Sequence, residues 1–416
     1  MFFLIRLALP PLLTLLATCA AAPVRAPQAA AQAAAAAPVR APQAAVPAPA
    51  ALRMGAEQLE KYLPQLQNQR VGLVVNQTSR VGRAHLVDTL LARGVNVAAI
   101  FAPEHGFRGE AADGATIKDG RDERSGRPVR SLYGKFKKPS PDMLADVDVL
   151  VFDIQDVGAR FYTFISTLHY VMEAAAEQGK AVIVLDRPNP NGAMVDGPIL
   201  ESKHRSFVGL DPLPIAHGLT VGELAKMLNG EKWLAAGAQC RLTVVPVAGA
   251  YTHATAYALP VRPSPNLPTA RAVALYPSIC LFEGTNVSVG RGTDTPFEVF
   301  GAPTQPASRP YSFTPRPNAG SPTPPLNGQL CHGLNLRNTA APDPTRLTLN
   351  YLLDFYRLST DKARFFGKYF GELSGTDSLQ AQIVAGKTEA QIRRSWEPGL
   401  GNYKKLRRQY LLYPER

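Results

Sequence analysis

The sequence predicts an α/β protein in which a Rossmann-like parallel sheet domain is followed by a smaller mixed α+β auxiliary domain. Short apolar runs alternate with amphipathic helical patterns from residue 70 onward, and Gly and Pro become frequent after residue 237. An alternation of strands and helices requires a parallel sheet whose right-handed crossovers place helices on both faces. We therefore assign residues 53–237 to the sheet domain and residues 238–416 to the auxiliary domain.

Two apolar runs predict the first strands of the sheet. Residues 71–75 and 97–101 are short and apolar, as buried strands are. Between them, residues 85–93 carry their apolar side chains on one helical face, and Gly94 ends the pattern. The three segments together form a strand, helix, strand unit.

The next two strands are predicted at 147–153 and 181–185. The clearest helical pattern of the chain lies between them, with apolar residues at helical spacing from Phe161 to Ala175. A stripe of this kind packs against a core. Thr220 and Glu223 have the spacing of a capping box, which begins a further helix near the end of the domain.

Polar side chains that can bind ligands or transfer protons follow each of the four predicted strands. In a parallel sheet these strand ends share one edge, and ligands bind in the crevice outside it. In strand order, the residues are Asn76 and Gln77, then Glu104 and His105, then Asp153, Gln155 and Asp156, and finally Asp186 and Asn189. Each has a structural alternative as a turn or helix cap, because Asp and Asn favour both. We interpret Glu104 as the working acid.

The auxiliary domain contains a strand at 242–247 and a proline-rich segment at 260–268, which the fixed φ of proline keeps extended. Residues 281–294 combine Glu283, Asn286 and Arg291 with several glycines. We predict that they bind a hydroxyl-rich or anionic ligand; the alternative is a glycine-rich turn with a surface ion pair. No regular structure is assigned to 302–328, helices are predicted at 347–358 and 391–396, and residues 410–413 are predicted to dock as a strand.

Several classes of function lack their sequence signals. No glycine-rich dinucleotide fingerprint follows the first strand, and no phosphate-binding loop motif is present. The seven histidines show no metal-ligand spacing, so we predict neither a metal site nor a cofactor and disfavour a phosphoesterase. The net charge of +12 comes without a nucleic-acid-binding motif, so no nucleic-acid partner is expected. A hydrolase that works with carboxylates remains.

The amino-terminal segment has the pattern of an export signal. Residues 1–22 contain an early arginine, an apolar run and small residues, as a signal peptide does. Residues 16–19 also resemble a lipobox ending in Cys19, so the alternatives are a soluble exported protein and one anchored to a membrane through Cys19. Residues 23–52 are rich in Ala and Pro and are predicted to be a disordered tether. The expected location is the periplasm or cell envelope, where at most one disulfide can form among Cys240, Cys280 and Cys331.

Five motifs, in this order along the chain, resemble the bacterial exo-β-N-acetylmuramidases, a glycoside hydrolase family long catalogued as a domain of unknown function. They are Gly72-Leu-Val-Val-Asn-Gln-Thr78, Pro103-Glu-His-Gly-Phe-Arg-Gly109, Phe152-Asp-Ile-Gln-Asp-Val-Gly-Ala-Arg-Phe-Tyr162, Asp186-Arg-Pro-Asn-Pro190 and Glu283-Gly-Thr-Asn286. The resemblance runs from about residue 55 to Tyr413. It implies an active cleft between the two domains, no cofactor, and release of N-acetylmuramic acid from the non-reducing ends of peptidoglycan fragments. The family's proposed catalytic glutamate falls on Glu104.

The resemblance and the chemistry together suggest roles for the remaining candidates. The group that attacks the sugar or activates water is either a carboxylate, Asp153 or Asp156, or the substrate's own 2-acetamido group. Arg160 or Arg291 is expected to pair with the lactyl carboxylate of the muramic residue, because a planar guanidinium binds a carboxylate through two hydrogen bonds. The predicted substrate-binding residues are Asn76, His105, Gln155, Arg160, Tyr162, Asn189, Glu283, Asn286 and Arg291. The alternative function is an exported peptidoglycan-binding protein without turnover.

Overall fold

A computed structural model describes residues 51–108 and 119–416 of the protein. The predicted signal peptide, Cys19 and residues 23–50 of the predicted tether lie outside the described residues. Within the described ranges, no helix is long and apolar enough to cross a membrane.

A seven-stranded sheet and a three-stranded sheet organise the fold. The strands are β1 Val71–Val75, β2 Arg80–Val81, β3 Ala84–His85, β4 Val97–Ala102, β5 Gly120–Arg121, β6 Pro128–Ser131, β7 Val149–Asp153, β8 Ala181–Leu185, β9 Arg241–Val245, β10 Val299–Ala302, β11 Tyr311–Phe313 and β12 Cys331–Asn335. The α-helices are α1 Leu59–Leu66, α2 Leu86–Ala92, α3 Pro141–Leu144, α4 Phe164–Glu177, α5 Val221–Gly230, α6 Ala270–Ile279, α7 Asn350–Leu358, α8 Phe370–Ser374, α9 Asp377–Val384 and α10 Glu389–Arg407.

The large sheet has the strand order β5-β6-β4-β1-β7-β8-β9, and all neighbours are parallel except β5 and β6. Every residue of β1 and β7 is buried, as expected for a parallel sheet covered on both faces. Gly72 permits close packing in the central strand, because a Cβ there would lie 2.8 Å from the Phe101 ring and 2.9 Å from Leu150. The α/β class predicted from the sequence is confirmed.

The predicted capping box is present at the start of α5. The Thr220 N–H donates to Glu223 Oε2 at 2.9 Å, and Thr220 Oγ1 accepts from the Glu223 N–H at 3.3 Å. These bonds satisfy backbone donors that would otherwise lack partners at the helix start. The helix packs against β8 and β9.

The sheet extends beyond the boundary predicted at residue 237. Strand β9 was assigned to the auxiliary domain, but it pairs with β8 in parallel register, with Ile183 opposite Thr243. Strand β9 follows helix α5, so β8, α5 and β9 form a further strand, helix, strand unit of the parallel sheet. The described chain beyond β9 contains the sheet β10-β12-β11, whose pairs are antiparallel, and helices α6 to α10.

Four details of the carboxyl-terminal half differ from the predictions. Helix α6 was not predicted, β11 lies in the stretch expected to lack regular structure, and α10 is longer than predicted and continues through Pro398. Residues 410–413 form no strand. They dock through Tyr413, whose hydroxyl donates to Asp186 at 2.6 Å and accepts from the Val247 N–H at 2.7 Å, so side-chain bonds replace the expected ladder.

One apolar core contains residues from both parts of the described chain, the part up to the end of β9 and the part beyond it. Phe152 of the large sheet belongs to the same buried cluster as Tyr276, Phe355 and Trp396. Because the two parts bury their apolar surfaces against each other, the walls of a site between them are held by core packing.

Candidate active site

A cavity of about 840 Å³ lies where the end of β4 meets the start of α4 and four segments of the chain beyond β9. This volume is within the range of small-molecule sites. Among the predicted residues, the cavity is lined by Glu104, His105, Tyr162, Glu283 and Arg291. The structure therefore brings together five candidates that are spread over nearly two hundred residues of sequence.

Glu104 lies in this cavity directly beyond β4 and is half-buried. The Thr163 hydroxyl donates a hydrogen bond to Glu104 Oε2 at 3.3 Å. The backbone turns sharply after Glu104, since His105 and Gly106 both have positive φ, at +67° and +75°. Positive φ is uncommon for a residue other than glycine, and such positions concentrate at functional sites.

His105 and Tyr162 connect the strand end to the proline-rich segment predicted at 260–268. The imidazole Nε2 of His105 lies 3.4 Å from the Ser264 hydroxyl, and the Tyr162 hydroxyl donates to the Pro263 carbonyl at 2.8 Å. Ser264 and Asn266 line the cavity. The extended segment is thus one of its walls, which gives the prolines a positioning role.

Glu283 and Arg291 also line the cavity and form an ion pair. The Cys280 thiol donates to the other Glu283 oxygen at 3.4 Å. Burial, and then the charge of Glu283, raise the pKa of that thiol, so it remains a neutral donor. The Arg291 guanidinium lies 5.3 Å from the centre of the Phe297 ring, whose backbone also has positive φ, at +63°. Both predicted residues therefore face the cavity, and the ion pair is part of its wall.

The two aspartates predicted as catalytic do not line the cavity. Asp153 is fully buried and accepts two hydrogen bonds from Arg187, at 2.6 and 2.9 Å. Asp156 accepts from the Gly158 N–H at 2.7 Å and lies 3.3 Å from His217 Nε2. Their geometry contradicts a catalytic assignment, because bound substrate cannot reach a carboxylate enclosed in this way.

Three other strand-end residues use their side chains to hold loops. Asn76 Oδ1 accepts from Thr78, the Gln155 amide donates to the carbonyls of Asp156 and Pro188, and the Asn189 amide donates to Leu219. None of the three lines the cavity. They have the structural role that the sequence left open for strand-end amides.

Arg160 and Asn286 are also outside the cavity lining. The Arg160 guanidinium is fully buried and donates to the carbonyls of Pro198, Leu213 and Leu373 at 2.7–3.1 Å. Burial lowers the pKa of Arg160 to about 9. It joins three loops, so the prediction that it meets a substrate carboxylate is wrong. The Asn286 N–H donates to the Phe365 carbonyl at 2.9 Å.

The cavity also contains polar residues that the sequence did not single out. Among them are Thr163, Lys137, Ser264, Asn266, Tyr369 and Glu372. Burial, and then the charges of Cys280, Glu283, Glu372 and Glu104, raise the pKa of Tyr369. Three cavity carboxylates therefore act electrostatically on one phenol. Thr163 could have been found from its position directly after a family motif, whereas Glu372 follows no strand and has no local signal.

The described residues contain no group of three His, Cys, Asp or Glu side chains able to hold an ion. Cys240, Cys280 and Cys331 are buried and are not paired with one another. The site is thus built from carboxylates, hydroxyls, amides and two cations.

A cavity of this kind at the carboxyl edge of a parallel sheet, lined by glutamates and hydroxyls, is typical of an α/β enzyme. The chain belongs to the NamZ exo-β-N-acetylmuramidase family, because that family's N-terminal domain matches residues 71–271 and its C-terminal domain matches residues 274–413. The junction near residue 272 includes β9 in the first domain, as the sheet does.

Similar proteins agree with this assignment. The peptidoglycan beta-N-acetylmuramidase NamZ of Bacillus subtilis is 39% identical over 85% of this chain and 89% of its own. Two DUF1343 family proteins of Bacteroides fragilis have similar crystal structures. One has a TM-score of 0.81 and 45% identity, and the match covers 88% of this chain and all of the other. The second has a TM-score of 0.75 and 30% identity, over 87% and 99% of the two chains.

Proposed function

We propose that this protein is an exo-acting β-N-acetylmuramidase that releases N-acetylmuramic acid from the non-reducing ends of peptidoglycan fragments, with Glu104 as its general acid. The observation that carries the proposal is the position of Glu104, at the carboxyl end of β4 and inside the 840 Å³ cavity of a chain that belongs to this family. Glu104 donates a proton to the glycosidic oxygen as the bond to the leaving sugar breaks.

A second group must attack the sugar or activate water. Asp153 and Asp156 are enclosed, so the cavity carboxylates besides Glu104 are Glu283 and Glu372 among the described residues. Glu283 is neutralised by Arg291, whereas Glu372 forms no salt bridge with a described residue. Two agents meet the requirement: Glu372, and the carbonyl oxygen of the substrate's own 2-acetamido group, which can attack the anomeric carbon of the same sugar as the glycosidic bond breaks.

Replacing Glu372 by Ala distinguishes these two agents. If Glu372 attacks the sugar or activates water, the variant loses turnover. Added azide then restores turnover, and the product is a glycosyl azide. If the acetamido group attacks, Glu372→Ala keeps most of its rate, and a substrate without the acetamido carbonyl is not cleaved by the wild-type protein.

For the lactyl carboxylate, Arg291 is the remaining candidate of the two arginines. Its guanidinium faces the cavity, while Glu283 and the Phe297 ring fix its orientation. A planar guanidinium held in this way suits carboxylate recognition. Arg291→Lys should lower kcat/KM for a muramide more than for a substrate lacking the lactyl group, and equal losses on both substrates would contradict this role.

Export to the periplasm or cell envelope is proposed from the leader sequence alone. Residues 1–22 would direct secretion, and Cys19 would decide whether the product is lipid-anchored. Fractionation of cells producing the full chain tests export. A Cys19→Ser variant that moves from the membrane fraction to the soluble fraction supports the anchor, and an unchanged distribution contradicts it.

The function itself is tested by incubating the purified protein with a chromogenic N-acetylmuramide, an N-acetylglucosaminide and a phosphoester, with and without chelator. We expect release from the muramide alone, no effect of chelator, and loss of release in Glu104→Gln. Saccharide binding without release from any substrate would instead indicate a peptidoglycan-binding protein, and chelator-sensitive release from the phosphoester would indicate a phosphoesterase.

A further inference from the structure

A second, shallower cleft of about 420 Å³ adjoins the candidate active-site cavity. The cavity and the cleft share two lining residues, Gly134 and Lys137. The outer cleft is completed by Lys135, Phe136, Lys138 and Tyr170. A ligand held in the cavity can therefore continue into the outer cleft without leaving the protein surface.

Aromatic rings form a ledge along this path. Phe207 lines the cavity, and its ring is nearly parallel to that of Tyr170, with an angle of 7° and 6.2 Å between the centres. Phe136 is 41% exposed on the adjoining loop. We call Phe136, Tyr170 and Phe207 the outer ledge. Exposed aromatic rings in a group offer flat apolar faces together with polar edges, which is how proteins contact amphipathic ligands.

Two lysines make the ledge cationic. Lys137 Nζ lies 4.4 Å from the centre of the Phe207 ring, and Lys135 Nζ lies 4.9 Å from that of Phe136. Neither lysine forms a salt bridge with a described residue. Their ring contacts leave them able to turn towards a carboxylate, because an ammonium on a flexible stem has three donors.

Neighbouring acidic groups are already compensated. Glu173 and Glu177 both bind Lys138, at 2.7 and 2.6 Å, and this pairing anchors the loop 134–138 to helix α4. His169 lies between these acidic groups, 3.4 Å from Glu173 and 3.0 Å from Asp211. Burial lowers the pKa of His169, but hydrogen bonds and the charges of the two carboxylates outweigh burial and raise it. The ledge thus stands on a rigid base and keeps the charge of Lys135 and Lys137.

We propose that the outer ledge binds the departing part of the glycan, the sugars on the reducing side of the bond that is cleaved. This inference rests on the proposed function. The terminal muramic residue occupies the cavity, and the following sugars must leave through the adjoining cleft. A peptidoglycan strand presents sugar C–H faces that match the rings, and a carboxylate or acidic peptide on every second sugar that matches the lysines. The preferred substrates are therefore anionic oligosaccharides longer than a disaccharide.

The test compares a disaccharide and a tetrasaccharide, each with a non-reducing terminal N-acetylmuramic acid, as substrates of the wild-type protein. We expect kcat/KM to be about tenfold higher for the tetrasaccharide, because ring contacts and exposed ion pairs each contribute modestly. Tyr170→Ala and Lys135→Glu line only the outer cleft, and each should lower the ratio of the two kcat/KM values by about threefold. A Lys404→Glu/Lys405→Glu variant changes the charge of exposed positions on α10 and should keep the wild-type ratio.

Equal kcat/KM values for the two substrates, or an unchanged ratio in both ledge variants, would overturn the inference. The binding of the same two saccharides to Glu104→Gln, measured by calorimetry, provides an independent result, with the ledge substitutions added in that background. If the wild-type protein releases no muramic acid from either substrate, the proposed function fails. The affinity ratio then still decides whether the ledge holds the longer glycan.

Discussion

At the carboxyl end of β4, Glu104 faces a cavity of about 840 Å³, whereas at the end of β7, two strands along the same sheet, Asp153 is fully buried against Arg187. Both residues are acids that follow an apolar parallel strand. They differ in what the neighbouring chain supplies. Arg187 follows β8 and pairs with Asp153, while the chain after Glu104 turns sharply at His105 and Gly106. Asp153 is thereby enclosed by an ion pair, whereas Glu104 lines a cavity that a ligand can enter.

The largest expected effect separates activity from stability at β4. Glu104→Gln should lower kcat by about 10²–10⁴-fold, the usual contribution of a general acid. Its unfolding free energy should change by no more than about 0.5 kcal/mol, because the half-buried side chain is not part of the core. Muramic acid release and urea unfolding, measured with exposed Glu397→Gln as control, check both values. If Glu104→Gln loses stability in proportion to activity, then Glu104 has a structural role, as Asp153 does, and the two residues do not differ.

At β7 the opposite result is expected. Asp153→Asn leaves the buried Arg187 guanidinium without its counter-ion, which should cost about 3–5 kcal/mol of unfolding free energy. Activity per folded molecule should stay close to wild type, since Asp153 does not line the cavity. Denaturant unfolding and active-site-normalised rates measure the two effects. A stable but inactive Asp153→Asn variant would instead indicate that Asp153 takes part in catalysis.

A third strand end, that of β8, sharpens the comparison through pH. Burial is the main cause that raises the pKa of Asp186 to about 6, although Tyr413, Gly222 and Thr220 donate hydrogen bonds to it. The folded state therefore holds this proton to higher pH than the unfolded state. Its contribution to stability is present below pH 4 and is lost as the pH rises through about 6, a change of roughly 3 kcal/mol.

The difference in unfolding free energy between wild type and Asp186→Asn, measured from pH 4 to pH 7, isolates this effect. It should fall with rising pH. The matched control is Asp148→Asn, because hydrogen bonds and charge from Arg70 lower the pKa of Asp148 to about 2. Asp148 is ionised above pH 5 in both the folded and the unfolded protein, so the Asp148→Asn variant should show little pH dependence there. A flat difference for Asp186→Asn would mean that Asp186 does not hold a proton in the folded protein.

Much of the fold could be predicted because its signals are local. The runs at 71–75 and 181–185 form strands as predicted, and the Thr220 capping box starts α5. The place of β9 depended on pairing with β8, which no local pattern encodes. The length of α10 was missed because Pro398 is normally a helix breaker, and tertiary packing of Trp396 and Tyr403 overrides it.

The site was predictable only where motif and geometry coincide. Glu104 and Glu283 lie in recognisable motifs, Arg291 lies in the glycine-rich segment 281–294, and all three line the cavity. Asp153 and Arg160 lie in equally recognisable motifs but bind other parts of the chain. Their burial is a property of the packed fold, so a sequence pattern of polar residues after strands predicts the edge and not which residues remain accessible there.

The smallest expected effect concerns the support that Glu104 receives from the start of helix α4. Thr163, at the start of α4, donates a hydrogen bond to Glu104 at 3.3 Å, whereas Asp153 is held by an ion pair with Arg187. Thr163→Val removes the donor at nearly constant volume and should lower kcat by roughly fivefold, or about 1 kcal/mol. Thr163→Ser keeps the hydroxyl and should retain most of the rate. If both variants lose activity equally, the methyl group and not the hydroxyl matters, and Glu104 is oriented by packing.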